Sequence, residues 1–213
     1  MEFLRFCLEN WQLLFLATLR HIEISAIAVI ISVVVAVPLG VLMTRYRKMA
    51  HLVVNSANVG QTIPSLAILG LVIPVLGIGL KPAVFAIVIR GVLPILNNTY
   101  SGIVNVDRFL IEAGRGMGMK NREILTLVEM PLSFPVIMAG IRTAAVLSIS
   151  VAALAALIGA GGLGDLIFQG IVMADRNLLM AGSIPTALLA VATDQGLERV
   201  EKRLKKWQPK QSF

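Results

Sequence analysis

The sequence predicts an all-α integral membrane protein of about five transmembrane helices, with the N-terminus outside, the C-terminus in the cytoplasm and a helical loop between spans three and four. Three observations carry that expectation. Of the 213 residues, 57% are hydrophobic and 15% charged, with a mean hydropathy of +0.84, whereas an ordinary soluble domain is about half apolar and about a quarter charged. The apolar residues fall in runs near the ~20 residues needed to cross a bilayer, without the ~10-residue alternation of a membrane barrel. Lysine and arginine gather in alternate loops.

The elements follow in order. Residues 1–20 mix Glu2, Arg5, Glu9 and Arg20 with Leu, Phe and Trp11. That suits an interfacial helix, because a signal peptide needs an uncharged core leading to a small-residue cleavage site. The membrane domain is expected over 21–198, with spans at about 22–43, 57–76, 82–104, 131–158 and 178–197 and a polar loop over 105–130. A basic tail, 199–213, closes the chain. Around its start Glu198/Lys202 and Glu201/Lys205 stand at helical spacing, and Leu197, Val200, Leu204 and Trp207 form an apolar stripe.

Counting basic residues by loop orients the spans. Thirteen lie in the first loop, the 105–130 loop and the tail, against four on the other side: Arg5, Arg20, Lys81 and Arg176. Arg90 and Arg142 fall within spans. This bias puts the N-terminus outside and the C-terminus in the cytoplasm, which itself requires an odd number of spans. The +7 net charge is then a topology signal, and nucleic acid is dropped as a partner. The single Cys7 leaves no intrachain disulfide, and one thiol with two histidines makes no metal set.

The polar loop has its own grammar. Asp107 can cap a short helix through Glu112 and Ala113, which Gly114, Gly116 and Gly118 interrupt; Asn121 can cap a second helix over 122–129, and Pro131 opens the next span. Apolar side chains carried into the cytoplasm suit either a partner with a groove or a loop lying on the lipid surface.

The spacing Glu112-Ala113-Gly114, three residues, Gly118, nine residues, Val128, one residue, Met130-Pro131 resembles the EAA loop of ATP-binding-cassette (ABC) importer permeases. That motif reads Glu-Ala-Ala, three residues, Gly, nine, Ile, one, Leu-Pro. Gly114, Val128 and Met130 depart from it by small apolar exchanges. The resemblance extends over about 20–200, through Gln61-Thr62-Ile63-Pro64-Ser65-Leu66-Ala67, Leu93 to Tyr100, Met138 to Thr143 and Ile158 to Asp165. These segments look like the osmoprotectant (glycine betaine/carnitine/choline) branch. The methionine-importer branch shares the five-span layout. The resemblance implies that the loop is the coupling helix, with Glu112, Ala113, Gly118 and Pro131 docking on cytoplasmic ABC ATPase subunits. It also implies a second permease, identical or paralogous, an extracytoplasmic substrate-binding protein, and a place in the cell inner membrane among its lipids. Gly118 fits a position of positive φ or close backbone approach.

No Gly-x-x-x-x-Gly-Lys-Ser/Thr run is present. The chain is therefore expected to be no enzyme and to hold no cofactor of its own, with ATP and Mg bound by the partner. Candidates for lining a passage are Gln61 and Ser65 beside Pro64, then Arg90, Asn97, Asn98 and Tyr100 in the third span, and Arg142 in the fourth. Arg90, Pro94, Asn97, Asn98 and Ser101 recur at three- and four-residue spacing on one expected face. A charged residue in a span normally faces protein or water, although polar residues there also serve plain helix–helix hydrogen bonding. Gly161, Gly162 and Gly164, in a run that starts at Gly159, form either an outer gate or a flexible connector. Two Trp and two Tyr are too few for an aromatic cage around a quaternary ammonium. An ion-coupled secondary transporter, the alternative of another class, is disfavoured by the lack of an inverted repeat and of a mid-span acid, since Glu23 and Asp194 lie near span ends.

Overall fold

A backbone in lipid must satisfy its own N–H and C=O groups, so long apolar runs become helices. The structure, a computed structural model, describes residues 2–205. Trp207 and Lys210 of the basic tail lie outside the described residues. The helices are α1 (Glu2–Glu9), α2 (Trp11–Arg45), α3 (Arg47–Thr62), α4 (Ser65–Leu76), α5 (Leu80–Val104), α6 (Arg108–Gly116), α7 (Asn121–Ile124), α8 (Met130–Ala155), α9 (Leu163–Val172) and α10 (Arg176–Lys205). A π turn, Leu125–Glu129, joins α7 to α8, and a 3₁₀ turn, Ala156–Ile158, extends α8.

The N-terminal segment is divided at Asn10. Its backbone leaves the helical region at φ −112°, ψ 23°, and its side-chain amide shares the Phe6 carbonyl with its own N–H, each at 3.0 Å. Trp11 to Arg20 therefore belongs to the same continuous helix as the first span.

Small residues let the helices approach closely, and the contacts give their directions. A Cβ on Gly91 of α5 would fall 2.7 Å from Ser32 Oγ of α2, and one on Gly40 of α2 would fall 2.7 Å from Thr99 Cβ of α5. Both numbers rise together, so α2 and α5 run parallel. Gly102 meets Ser133, and Asn98 meets Gly140. These numbers run in opposite senses, so α8 is antiparallel to α5. Parallel α2 and α5 require the chain to return between them, and α3 with α4 makes that return.

The return is not one straight helix. Among the described residues four helices are long and apolar enough to cross a membrane, while Val53–Thr62 and Ser65–Leu76 meet at 99°. Pro64 is the cause: it has no N–H, and it holds Ile63 extended at φ −68°, ψ 125°. The expected second span is thus a broken helix. The fourth is longer than expected, because helix runs from Asn121 to Ile158 without opening at Pro131. Pro131 and Pro135 remove two ladder donors, and the π turn lies directly upstream, where the Met130 N–H reaches back to Leu125 O.

Between α8 and α10 the chain turns through Gly159–Gly162 and adds α9, ten residues long and too short to cross a membrane. Leu163, Leu166 and Leu178 bury there against Phe6, Leu14 and Ala17. The core proper lies between α2, α4, α5 and α8, around Ile24, Leu69, Ile87 and Ala152. From α9, α10 runs back toward the end that carries α6, where Glu198–Lys202 and Glu201–Lys205 pair at 2.8 Å each.

Candidate functional site: a docking loop, a broken helix and a glycine turn

At one end of the bundle, α6 begins as the sequence predicts: Asp107 Oδ1 accepts the Phe109 N–H at 2.9 Å. Its end is set by Gly118. The Met119 N–H bonds to Gly114 O at 3.0 Å and the Gly118 N–H to Arg115 O at 2.9 Å, with Gly118 at φ +82°. This is a Schellman stop with Gly118 in the left-handed position. Nothing lies within 4 Å of a Cβ built there. Positive φ, not close approach, is therefore what requires glycine. Gly114 is the close-packed residue, next to Met119 and Ile124.

The second loop helix starts differently from the expectation. Its cap is Lys120, whose N–H donates to Glu123 Oε2 at 2.6 Å, and Asn121 is already helical. Glu112 and Ala113 are exposed on α6, and Pro131 is exposed in the first turn of α8. Phe109 is 73% exposed and Met117 77% exposed. Behind α6 lies a cavity of about 720 Å³ lined by Glu112, Arg115, Tyr100, Arg45 and Glu129, among others. Tyr100 belongs to this cavity. It stands ten residues from Arg90, about 15 Å along α5.

Near mid-bundle, the break between α3 and α4 leaves helix-terminal carbonyls without ladder partners. Arg90 supplies one: its Nη1 donates to Gln61 O at 2.9 Å and Ile63 O at 3.1 Å. A cation at a helix C-terminus also suits the helix dipole. Gln61 to Pro64 are exposed in the single chain, and Ser65, Arg90 and Asn97 are partly so. The expected five-residue face of α5 is divided. Pro94 and Asn98 turn toward Gly140 of α8, and Asn98 Nδ2 donates to Pro94 O at 2.8 Å.

Arg142 stands apart from this group. It pairs in bidentate fashion with Asp194 of α10, at 2.6 and 3.1 Å, and reaches Glu201 at 3.5 Å. The three residues share a pocket of about 440 Å³ between α8 and α10. Asp194, with its side chain 39% exposed, is thus an acid with a partner on α8, eleven residues before the end of α10.

At the opposite end from α6, Gly159 closes α8 with the same device as Gly118: Ala160 N–H to Ala155 O at 3.2 Å and Gly159 N–H to Ala156 O at 2.9 Å. Gly161 and Gly162 also have positive φ, at +85° and +92°. The turn is tied down. Arg20 Nε donates to Ala160 O at 3.3 Å, and the Gly79 N–H donates to Ile158 O at 2.6 Å. Gly162 packs on buried His21, whose Nε2 is 3.0 Å from Ile149 O. Gly164 differs from the others: it is helical, and a Cβ would land on the Ala153 carbonyl. Beside the turn, burial pushes the Asp165 carboxyl above the ordinary range.

Sequence reasoning counted Arg45 only toward topology, placed Glu201 only in a helical pair with Lys205, and gave Glu129 no role of its own. Arg45 Nη2 meets Glu129 Oε2 at 2.8 Å across 84 positions of sequence. The readable signal was an acid directly before Met130-Pro131, at the end of the loop.

Residues 36–206 match the model of the binding-protein-dependent transport system inner membrane component family. The chain is similar to the carnitine transport permease protein OpuCB of Listeria monocytogenes, 49% identical over 92% of this chain and 90% of that protein. It is similar to the choline transport system permease protein OpuBB of Bacillus subtilis (strain 168), 48% identical over 94% and 92%. The osmoprotectant import permease protein OsmW of Salmonella typhimurium is 42% identical over 94% and 96%. Among solved structures, an inward-facing MetNI methionine ABC transporter matches at TM-score 0.83 and 21% identity, over 92% of this chain and 98% of that chain. At that identity the match speaks for the fold.

Proposed function

Because the chain belongs to the family of binding-protein-dependent transport system inner membrane components, we propose that it carries small quaternary-ammonium osmoprotectants of the glycine betaine, choline and carnitine type into the cell by alternating access. It is a multi-pass membrane protein and the transmembrane subunit of an ABC importer. ATP and Mg belong to separate cytoplasmic ATPase subunits, since the sequence has no phosphate-binding loop of its own. A second permease and an extracytoplasmic binding protein complete the assembly.

One observation carries this reading: α6 holds Phe109 and, just past its end, Met117 outward on a helix stopped by Gly118. An amphipathic helix that presents apolar anchors this way is suited to a groove on a partner protein. The passage is assigned to the α3–α4 break with Gln61, Ser65, Arg90 and Asn97, because irregular backbone at membrane depth is tolerated where it is buried in protein or lines a water-filled cavity. Arg142, with Asp194 and Glu201, is placed beside that passage or against the second permease, away from lipid. The run from Gly159 to Gly164 is assigned to the outer end. The sequence holds two Trp and two Tyr, and Trp11 stands exposed at the end of α2 opposite Arg45, which shares a cavity with Tyr100, so the rings are too few for a cage. Selective capture of the cation is therefore assigned to the binding protein, and the membrane subunit offers a weak, mostly neutral route.

Choline uptake into vesicles holding the complete importer should require ATP and the ATPase subunits, and should persist when ionophores collapse the ion gradients. Uptake by this chain alone under a sodium or proton gradient would transfer it to the secondary transporters. Orientation has its own test. In a Cys7→Ser background, Lys120→Cys should react with an impermeant thiol reagent only from the cytoplasmic side and Lys81→Cys only from outside. Labelling of position 120 on intact cells would reverse the assignment.

A further inference from the structure

We propose that Arg45 and Glu129 are a positioning pair that carries displacement of the docking loop into α2, and through α2 to the glycine turn at the opposite end of the bundle. The inference rests on the reading of α6 as the helix that meets the ATPase.

Four observations lead to it. Glu129 is 6% exposed, and its carboxylate lies 2.8 Å from Arg45 Nη2 at the last turn of α2. A buried carboxylate held by one arginine is costly to leave alone, so the two groups move together. Second, Glu129 ends the π turn that joins the loop to α8. A π turn has a spare residue in the ladder and is a frequent feature of functional sites. Third, the pair stands on the wall of the 720 Å³ cavity whose other wall is α6. Space behind α6 lets it shift as a unit, and the α7–π segment is where that shift reaches the bundle. Fourth, α2 is continuous from Trp11 to Arg45, about 52 Å at helical rise. Its far end holds the glycine turn through Arg20 to Ala160 O at 3.3 Å and through His21, against Gly162 and Ile149 O. One helix thus touches both the loop and the turn, and the ion pair is its link to the loop.

The test uses the complete importer in vesicles with its ATPase and loaded binding protein. Glu129→Gln and Arg45→Gln should each leave co-purification of the ATPase unchanged. Each should lower the stimulation of ATP hydrolysis by loaded binding protein at least about fivefold, in the range of ordinary coupling energies. The double variant should be no lower than either single, since both remove the same link. A second readout lies at the far end. In a Cys7→Ser background, a cysteine replacing exposed Leu157 should label at different rates with and without ATP, and Glu129→Gln should abolish the difference. Wild-type stimulation in either single variant, multiplying losses in the double, or a nucleotide response at position 157 that is absent from the start or survives Glu129→Gln overturns the proposal. Gly118→Val separates the two readings. If it is uncoupled while Glu129→Gln behaves as wild type, only the ion-pair link fails. If Gly118→Val is fully stimulated, the docking-loop reading fails first.

Discussion

Replacing Gly118 with valine should leave the protein inserted at normal abundance and reduce ATP-driven uptake about tenfold or more, the factor that corresponds to ~1.4 kcal/mol. The position is fixed by φ +82° and two crossed hydrogen bonds, Met119 to Gly114 and Gly118 to Arg115. An L-residue pays roughly 1–2 kcal/mol for left-handed backbone, and a β-branched one is a true outlier there. That is enough to unwind the last turn of α6, which carries Ala113 and leads into Met117, without touching a span. The side chain itself meets nothing within 4 Å, so the loss should follow backbone tolerance and not size. Asparagine, which accepts this region, should keep most activity, alanine less, and valine least. Uptake and ATPase co-purification across the three variants check the order. A series ordered by volume alone, or a valine variant as active as the parent, would contradict the assignment.

What could be read in the sequence was what one helix says about itself. Hydropathy marked five apolar runs, four of which lie in helices long enough to cross a membrane among the described residues; Asp107 announced its cap, and Gly118 was marked for positive φ or close approach. What depended on a second helix could not be read. Hydropathy treats 57–76 as a single apolar run and does not register that Pro64 turns the chain there by 99°. Helical spacing placed Asn98 with Asn97, although a rotation of about 100° between neighbours lets one face Gly140 while the other does not. Arg142 looked like a solitary span charge because Asp194 is 52 positions away, and Arg45 and Glu129 are separated by 84. Ion pairs of this kind carry no local pattern.

The break between α3 and α4 yields the other large effect. Arg90→Leu should abolish uptake while the ATPase still co-purifies, because α6 and its cap lie at the end of the bundle and Arg90 in its middle. The reason is in the carbonyls. Gln61 O and Ile63 O sit where the ladder stops before Pro64, and Arg90 Nη1 donates to both, at 2.9 and 3.1 Å. Without it, each carbonyl that the assembled membrane complex shields from water costs about 1–3 kcal/mol. The segment can recover that only by rewinding or shifting, which closes or misplaces the passage assigned to it. Arg90→Lys keeps the charge but on a shorter stem with a differently directed head, so it should weaken both contacts and retain part of the transport. Asn97→Leu, about two turns further along α5, should also keep the ATPase bound, with the change confined to uptake or basal hydrolysis. Comparison of the three separates their parts. If Arg90 caps the broken helix, the loss in leucine exceeds that in lysine and is accompanied by altered thiol labelling of cysteines at Thr62 or Ser65. If leucine at position 90 transports normally, the break stands without its arginine, and the passage does not depend on it.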